Sequence, residues 1–439
     1  MSKSTSVFVC QQCGYNAPQW LGRCPNCQSW NSLVETIEQK SRLRQGSGGQ
    51  AKVKGAKPQK LSEISLKEIQ RIPTGLEELD RVLGGGVVPG SVILLAGDPG
   101  IGKSTLLLQV CGKLAGLYIS GEESVTQVKM RAERLGLGAS KMQLMAENDT
   151  DNICIQIEEE RSPIVIVDSI QTLETVDLSG MAGAVGQVRE SASRLIRIAK
   201  ENTIPIIIVG HVTKEGTIAG PKVLEHLVDT VLYLEGERFQ SLRILRSNKN
   251  RYGPVDEVGV FEMDDRGIKE VKNPSELFLN ELRSKNKEAS KTGSVTVCTM
   301  EGSRPILAEI QALVIPSKLT MPRRAVTGVD FNRLQLILAV LQKKLNLPLY
   351  ACDVYLNVAG GLKISEPAAD LACAIAIISS YKNKPLPSKT CAIGEIGLLG
   401  ELRRVGNLEK RIKEADRLGY TNIISSNQFA SIVEATKTL

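Results

Sequence analysis

Short apolar runs alternate with longer amphipathic ones through the middle of the chain. Residues 92–96 are uniformly apolar, as a strand buried on both faces requires, and residues 105–114 follow with helical spacing. A second strand is predicted at Leu117–Ser120, ending at Gly121, Glu122 and Glu123, then a helix over 124–135. Residues 164–168 form a third apolar run, closing on the carboxylate of Asp168, and residues 185–201 have helical spacing. A fourth strand over 205–210 ends at His211. This alternation predicts an open, mostly parallel α/β sheet. Ahead of it, Ile72, Pro73, Thr74, Gly75 and Leu76 lead into a short amphipathic segment at Glu77–Leu83. Beyond Pro274 the pattern changes. Strands are predicted at 295–298, 306–314 and 353–358, with a strongly apolar helix over 334–345.

The ends and joints of this pattern suggest more than one folding unit. A length of 439 residues implies two or three domains. Although 42% of residues are hydrophobic, no run approaches 18 apolar residues, so no membrane span is expected. The N-terminus lacks the apolar core of a signal peptide. Cys111, Cys154, Cys298, Cys352 and Cys373 lie within or beside apolar stretches, as isolated thiols do in a reducing compartment, and a cytoplasmic placement is expected. From Glu38 to Lys60 the chain is polar and glycine-rich. It carries Lys40, Arg42, Arg44, Lys52, Lys54, Lys57 and Lys60 within a net charge of +7. That stretch reads equally as a solvated, mobile tether or as a segment that touches phosphates. The expected domains are 1–35, a basic linker 36–62, an α/β domain 63–272, a connector 273–293 and a final domain 294–439.

The first 35 residues carry their own chemistry. Cys10 and Cys13 form one C-x-x-C pair, and Cys24 and Cys27 form another. Two such knuckles, with Gly14, Pro25 and Asn26 as turn residues, bring four thiolates together as a tetrahedral zinc site. No position is open to water, so the metal is structural. Redox-active dithiols are the competing reading, but neither pair has the βαβ context they use. So small a module cannot build a core, and zinc binding supplies most of its folding energy. Trp20 and Trp30 are expected to pack on it. The alternative is an exposed role, stacking on bases.

Between the first strand and first helix of the sheet lie Gly97, Asp98, Pro99, Gly100, Ile101, Gly102, Lys103 and Ser104, followed by Thr105. This fits the phosphate-loop pattern G-x-x-x-x-G-K-[ST]. Its glycines let main-chain amides turn toward phosphates, and the helix N-terminus adds positive potential. Lys103 can reach the β/γ-phosphates of ATP, and the Ser104 hydroxyl can ligate Mg²⁺. A glycine-rich turn with a chance lysine would not be framed by this strand and helix. Asp168 ends its strand as a Walker B carboxylate does, orienting Mg²⁺ directly or through water. Ser104, Glu122, Asp168 and His211 all fall at the carboxyl ends of separate strands, where such sheets bind ligands.

Two further segments carry a resemblance. Leu79 through Gly86, then Pro89, Gly90 and the phosphate loop, look like the entry to a RecA-type ATPase core. Lys249, Asn250, Arg251, Tyr252 and Gly253 resemble the Lys-Asn-Arg-Phe-Gly signature of the bacterial RadA (Sms) family, with tyrosine in the phenylalanine position. The family's order is a four-cysteine module, the ATPase core, this signature and a Lon-protease-like α+β domain, so the resemblance covers nearly the whole chain. One departure is the short stretch between Leu114 and Leu117, which is expected to shorten the helix before it.

The resemblance implies a DNA-dependent ATPase of recombinational repair that translocates on single-stranded DNA and drives branch migration. It implies single-stranded and branched DNA, the RecA recombinase and a homo-oligomeric, hexameric ring as partners. Glu122 takes the place of the catalytic glutamate, although sequence does not separate it from Glu123. His211 takes the place of the γ-phosphate sensor; a satisfied core histidine is the alternative. Lys249 and Arg251 are expected to face DNA or a neighbouring subunit's nucleotide. Without the family, residues 248–251 read as a hairpin turn.

In the Lon-like segment the nucleophilic serine is replaced by Ala368 and the lysine base by Glu409, so hydrolysis by that dyad is excluded. Lys363, Arg403, Arg404, Lys410 and Arg411 are either DNA contacts or a solvated face. An ATP-regulated protein-binding or proteolytic machine is the second reading, and a clock-type phosphotransferase a third. The missing dyad argues against the second, and the zinc module and single ATPase domain against the third.

Overall fold

The computed structural model describes residues 5–10, 15–30, 32–38, 70–178, 180–211, 222–236, 241–279 and 292–438. Chain contacts divide it into two units, residues 1–270 and 271–439. The basic residues from Lys40 to Lys60, and Cys13 and Gly14, lie outside the described residues. No helix among the described residues is long and apolar enough to cross a membrane.

In the N-terminal ribbon, β1 (Thr5–Cys10) pairs antiparallel with β2 (Asn16–Ala17) and β3 (Leu33–Glu38). The second C-x-x-C segment is a tight turn, with the Gln28 amide donating to the Cys24 carbonyl at 2.8 Å and an Arg23–Trp30 bridge at its base. Among the described residues, Cys10, Ala17, Cys24 and Leu33 form the ribbon's hydrophobic core, with Phe8 and Leu21 against it.

The first unit then runs α1 (Glu77–Leu83), β4 (Val92–Gly97), α2 (Lys103–Leu114), β5 (Leu117–Ser120), α3 (Val125–Arg134) and β6 (Gln143–Ala146). It continues with α4 (Thr150–Glu160), β7 (Val165–Asp168), α5 (Val185–Asn202), β8 (Ile206–His211), α6 (Lys222–Glu225) and β9 (Thr230–Glu235). An antiparallel extension closes it: β10 (Leu242–Asn250), β11 (Val258–Asp264) and β12 (Gly267–Glu270). The nine strands are ordered β12-β11-β10-β9-β4-β8-β7-β5-β6, and the six from β9 to β6 are parallel. β4 is buried along its whole length, with Ile93 and Leu95 in one core cluster and Val92 and Leu94 in another. An all-apolar strand satisfies both faces at once, and each such side chain contributes roughly 1.5–3 kcal/mol of burial. With the phosphate-loop strand central to a parallel sheet, this is a RecA-like core.

Local chemistry sets the ends of these elements. Ser124 and Gln127 form a reciprocal capping box that starts α3. Helix α2 is not shortened by the brief stretch after it. It runs through Leu114, and Ala115 takes a left-handed conformation (φ 53°) that reverses the chain within two residues.

The second unit begins at α7 (Ser275–Phe278) and carries β13 (Ser294–Glu301), β14 (Arg304–Pro316), β15 (Arg324–Thr327), α8 (Phe331–Leu345) and β16 (Cys352–Val358). After these come α9 (Asp370–Lys382), β17 (Thr390–Ile393), the small β18 (Glu395–Ile396) and β19 (Leu402–Arg403) pair, α10 (Leu408–Arg417) and β20 (Asn422–Ser425). Its six-stranded mixed sheet is ordered β15-β16-β14-β13-β17-β20. Helix α9 is apolar all round and buried from Asp370 to Ser379, as a helix enclosed by its domain must be. The whole is an α+β, Lon-like domain.

Candidate functional site at the carboxyl edge of the parallel sheet

The phosphate loop joins β4 to α2 and is shaped by contacts a side chain would break. Gly97 has φ 153°, and a Cβ there would lie 2.5 Å from the Leu234 carbonyl oxygen. Gly102, the residue before α2, has φ 114° and would meet Met263 and Ile268. Lys103 is buried, its Nζ donating to the carbonyls of Gly97 at 2.8 Å and Asp98 at 3.0 Å. Burial draws its pKa down, while Asp168, Asp98 and Glu122 oppose the shift. Asp98, Pro99 and Gly100 are exposed at the tip, Ile101 is buried, and Ser104 and Thr105 are half-buried in the first turn of α2.

Neighbouring strand ends bring the acidic groups in. Asp168 ends β7, and its Oδ2 accepts a 2.5 Å hydrogen bond from the Tyr118 hydroxyl on β5. Burial, then Asp168, pushes the Tyr118 phenol far above its usual range, so it remains a donor. Glu122 and Glu123 follow β5 and part company. Glu123 is paired with Arg131 of α3. Glu122 accepts from the Ser169 hydroxyl at 2.6 Å, and its Oε1 lies 3.3 Å from His211 Nε2 at the end of β8. Neither ring nitrogen of His211 has a hydrogen-bond partner among the described residues. Lys103, Asp168, Glu122 and His211 form one group along the carboxyl edge of β4, β7, β5 and β8.

Three residues that sequence reasoning passed over support this group. Tyr118 and Ser169 position Asp168 and Glu122 as described. Arg243 on β10 is buried, and its Nε donates to the Ile101 carbonyl at 2.9 Å, bracing the phosphate loop from behind. In β10 the inward positions are Arg243, Leu245 and Ser247, so a cation occupies core register.

The five-residue signature lies at the other edge. Lys249 and Asn250 end β10 after a bulge, so residues 248–251 are not a simple hairpin turn. Asn250 pairs with Thr230 at the start of β9, and the Arg251 amide donates to the Asp229 carbonyl. Buried Asp229 gathers this edge. Its carboxylate accepts from the Val92 amide at the start of β4, from Lys200 at 2.6 Å and from Arg251 at 3.2 Å. Burial raises its pKa, but these donors more than offset that and hold it below the usual range. The Tyr252 hydroxyl, absent from a phenylalanine, accepts from Lys200 at 3.3 Å. Because β4 runs from Val92 to Gly97, about 16 Å of strand separates Arg251 from its own phosphate loop. Lys249 departs from expectation: its Nζ turns inward to the carbonyls of Glu225, His226 and Val228. Arg251 is 54% exposed.

In the ribbon, the Sγ atoms of Cys10, Cys24 and Cys27 lie within 4.8 Å of one another. Three thiols so placed supply three of the four donors a tetrahedral structural zinc takes. Trp20 and Trp30 do not pack inside this unit. They are 56% and 70% exposed, because Phe8, Ala17, Leu21 and Leu33 already fill its core.

In the second unit Ala368 is buried, while Glu409 is 78% exposed near Arg404. Arg411 is not available to DNA. It is buried, with Nη1 and Nη2 bonded to Glu366 at 2.7 and 2.6 Å and Nη1 also to the Cys298 carbonyl. Arg403 is held by Glu401.

Residues 8–35 match the model of a rubredoxin metal-binding domain, residues 71–246 that of a family of unknown function, and residues 320–428 that of subunit ChlI of Mg-chelatase. DNA repair protein RadA of Bacillus subtilis (strain 168) is 50% identical over 430 residues, covering 97% of this chain and 93% of its own length. The RadA of Streptococcus pyogenes serotype M1 is 52% identical over 429 residues, covering 96% and 93%. That of Listeria monocytogenes serovar 1/2a is 49% identical over 427 residues, covering 96% and 92%. Among solved structures, the RadB recombinase is 23% identical with a TM-score of 0.36, covering 45% of this chain and 99% of its own. A KaiC-like protein from Pyrococcus horikoshii OT3 is 20% identical with a TM-score of 0.38, covering 46% and 99%.

Proposed function

The chain belongs to the RadA family of DNA repair proteins, and from that membership we propose that it is a DNA-dependent ATPase. Its hydrolysis of ATP moves it along single-stranded DNA and drives branch migration of recombination intermediates. The observation that carries this reading is the convergence of Lys103, Asp168, Glu122 and His211 at one sheet edge. There Lys103 exchanges its carbonyl bonds for the β/γ-phosphates, and the amides of residues 97–105 wrap them. Ser104 and Asp168 would hold Mg²⁺, which would supply charge neutralisation for the transferred phosphoryl group. Glu122 orients and deprotonates the attacking water, since Glu123 is occupied by Arg131. His211, in contact with Glu122, senses the γ-phosphate.

Arg251 cannot serve its own subunit's phosphates from the far edge of the sheet. It acts on DNA or on a neighbour's nucleotide in a homo-oligomeric, hexameric ring, where a permanently charged planar guanidinium suits phosphate. Lys249 holds that edge in shape through its three carbonyls. The domains divide as 1–35, 36–62, 63–272, 273–293 and 294–439, and the last acts as a scaffold. With a buried methyl at 368 and an exposed carboxylate at 409, it lacks the serine and lysine of the Lon dyad, which supports reading it as no protease. The RecA recombinase is the expected protein partner, and the cytoplasm the expected compartment.

The test is extension of a branched, partly paired DNA joint by the purified chain. ATP should support extension and a non-hydrolysable analogue should not. Equal extension with both would sever hydrolysis from branch movement.

A further inference from the structure

The ribbon exposes a feature that neither its metal site nor the ATPase chemistry uses. Trp20 and Trp30 border the same backbone at Gly22, where a Cβ would lie 3.6 Å from the Trp20 ring and 3.9 Å from that of Trp30. Arg23 is locked beside them. Its Nε donates to the Gln28 carbonyl at 2.9 Å, its Nη2 donates to Gln28 Oε1 at 2.7 Å, and its guanidinium sits 5.7 Å from the centre of the Trp30 ring. Nη1 makes no further bond among the described residues. The thiols of Cys10 and Cys24 are buried. No Asp or Glu occurs before Glu35, and none occurs between Lys40 and Lys60. Two large exposed indoles beside one oriented cation, without a carboxylate, suit a ligand with flat faces and negative charge.

We propose that this face of the ribbon is a stacking platform for single-stranded DNA, taking unpaired bases on Trp20 and Trp30 and a phosphate at Arg23. Aromatic rings stack on any base, whatever its sequence, so the platform engages a strand that the ring is moving along. Duplex DNA keeps its base faces covered and is a poor ligand. The inference rests on the reading of the chain as a DNA-acting ATPase and adds where the strand is first held.

The chain contains two tryptophans, and both are on the platform. Indole emission of the zinc-loaded, full-length protein therefore reports on this site alone. An end-labelled oligo-dT strand should be titrated in, following label anisotropy and tryptophan emission together. Stacking predicts that emission is quenched in step with the anisotropy rise and is unmoved by a blunt duplex. Joint Trp20→Leu and Trp30→Leu substitution should weaken single-strand binding by at least about tenfold, with zinc content and DNA-free ATP turnover unchanged. If that variant loses zinc, the wild-type quench decides by itself. Rising anisotropy with unmoved emission would overturn the platform and leave the DNA reading intact, as would equal quenching by duplex. Absence of any anisotropy rise would overturn both.

Discussion

Glu122 and Glu123 are neighbours in the chain, and their partners set them apart. Glu123 is paired with Arg131, whereas Glu122 meets Ser169 and His211. Glu122→Gln should keep ATP binding and lose nearly all turnover, while Glu123→Gln should lose little; equal loss in both would move the base elsewhere. Lys103→Ala should abolish turnover and leave the fold intact, because its ammonium bonds only to loop carbonyls. Near-normal hydrolysis by that variant would displace the site. Arg243→Ala removes the buried donor behind Ile101, worth roughly 1.5–3 kcal/mol as a charged hydrogen bond. The Michaelis constant for ATP should then rise about tenfold with a smaller change in turnover number; an unchanged constant would mean the loop keeps its shape unaided. The phosphate loop and Asp168 were legible because their chemistry depends on local order along the chain. Tyr118, Ser169, Asp229 and Arg243 act through partners on other strands, which local spacing does not reveal.

At the scale of elements, the alternating apolar runs located β4, β5, β7 and β8 well, since a strand buried on both faces has little compositional freedom. The antiparallel extension β10–β12 was not legible. Its strands alternate, and their place beside β9 is set by long-range pairing. In the second unit, the Arg411–Glu366 pair ties α10 to the segment before α9 and to β13. Burial would raise the Glu366 pKa, but Arg411, the Thr299 hydroxyl and the Met300 amide outweigh it, and the pKa lies below the usual range. A depressed folded-state pKa means the pair's contribution is complete above the ordinary carboxylate range and is lost as pH falls through the lowered value. Arg411→Ala should cost about 3–5 kcal/mol near neutral pH, with the gap to wild type narrowing on acidification. Denaturant unfolding followed by circular dichroism reads both; a pH-independent gap would assign the loss to packing. In the ribbon, Cys13→Ser should release zinc and unfold that module while DNA-free ATP turnover persists. Zinc still bound one per chain would refute the four-cysteine site.

At the scale of the whole molecule, the length of the central strand separates two groups of residues in the first unit. Lys103, Asp168, Glu122 and His211 stand at the carboxyl edge of the sheet and Arg251 at the amino edge, braced by Asp229. On the proposed function, a subunit built this way is complete only beside a neighbour or a bound strand. Arg251→Ala should therefore bind ATP and assemble but lose DNA-stimulated turnover. Mixing it with Lys103→Ala should restore part of that activity at interfaces that combine an intact loop with an intact arginine. No rescue would confine Arg251 to its own subunit. The most direct test of the account is ATP turnover by the intact chain, measured with and without single-stranded DNA, with Lys103→Ala as the blank. The account predicts turnover that rises severalfold with DNA and does not respond to unfolded polypeptide. Turnover indifferent to DNA, or stimulated by polypeptide instead, would contradict it.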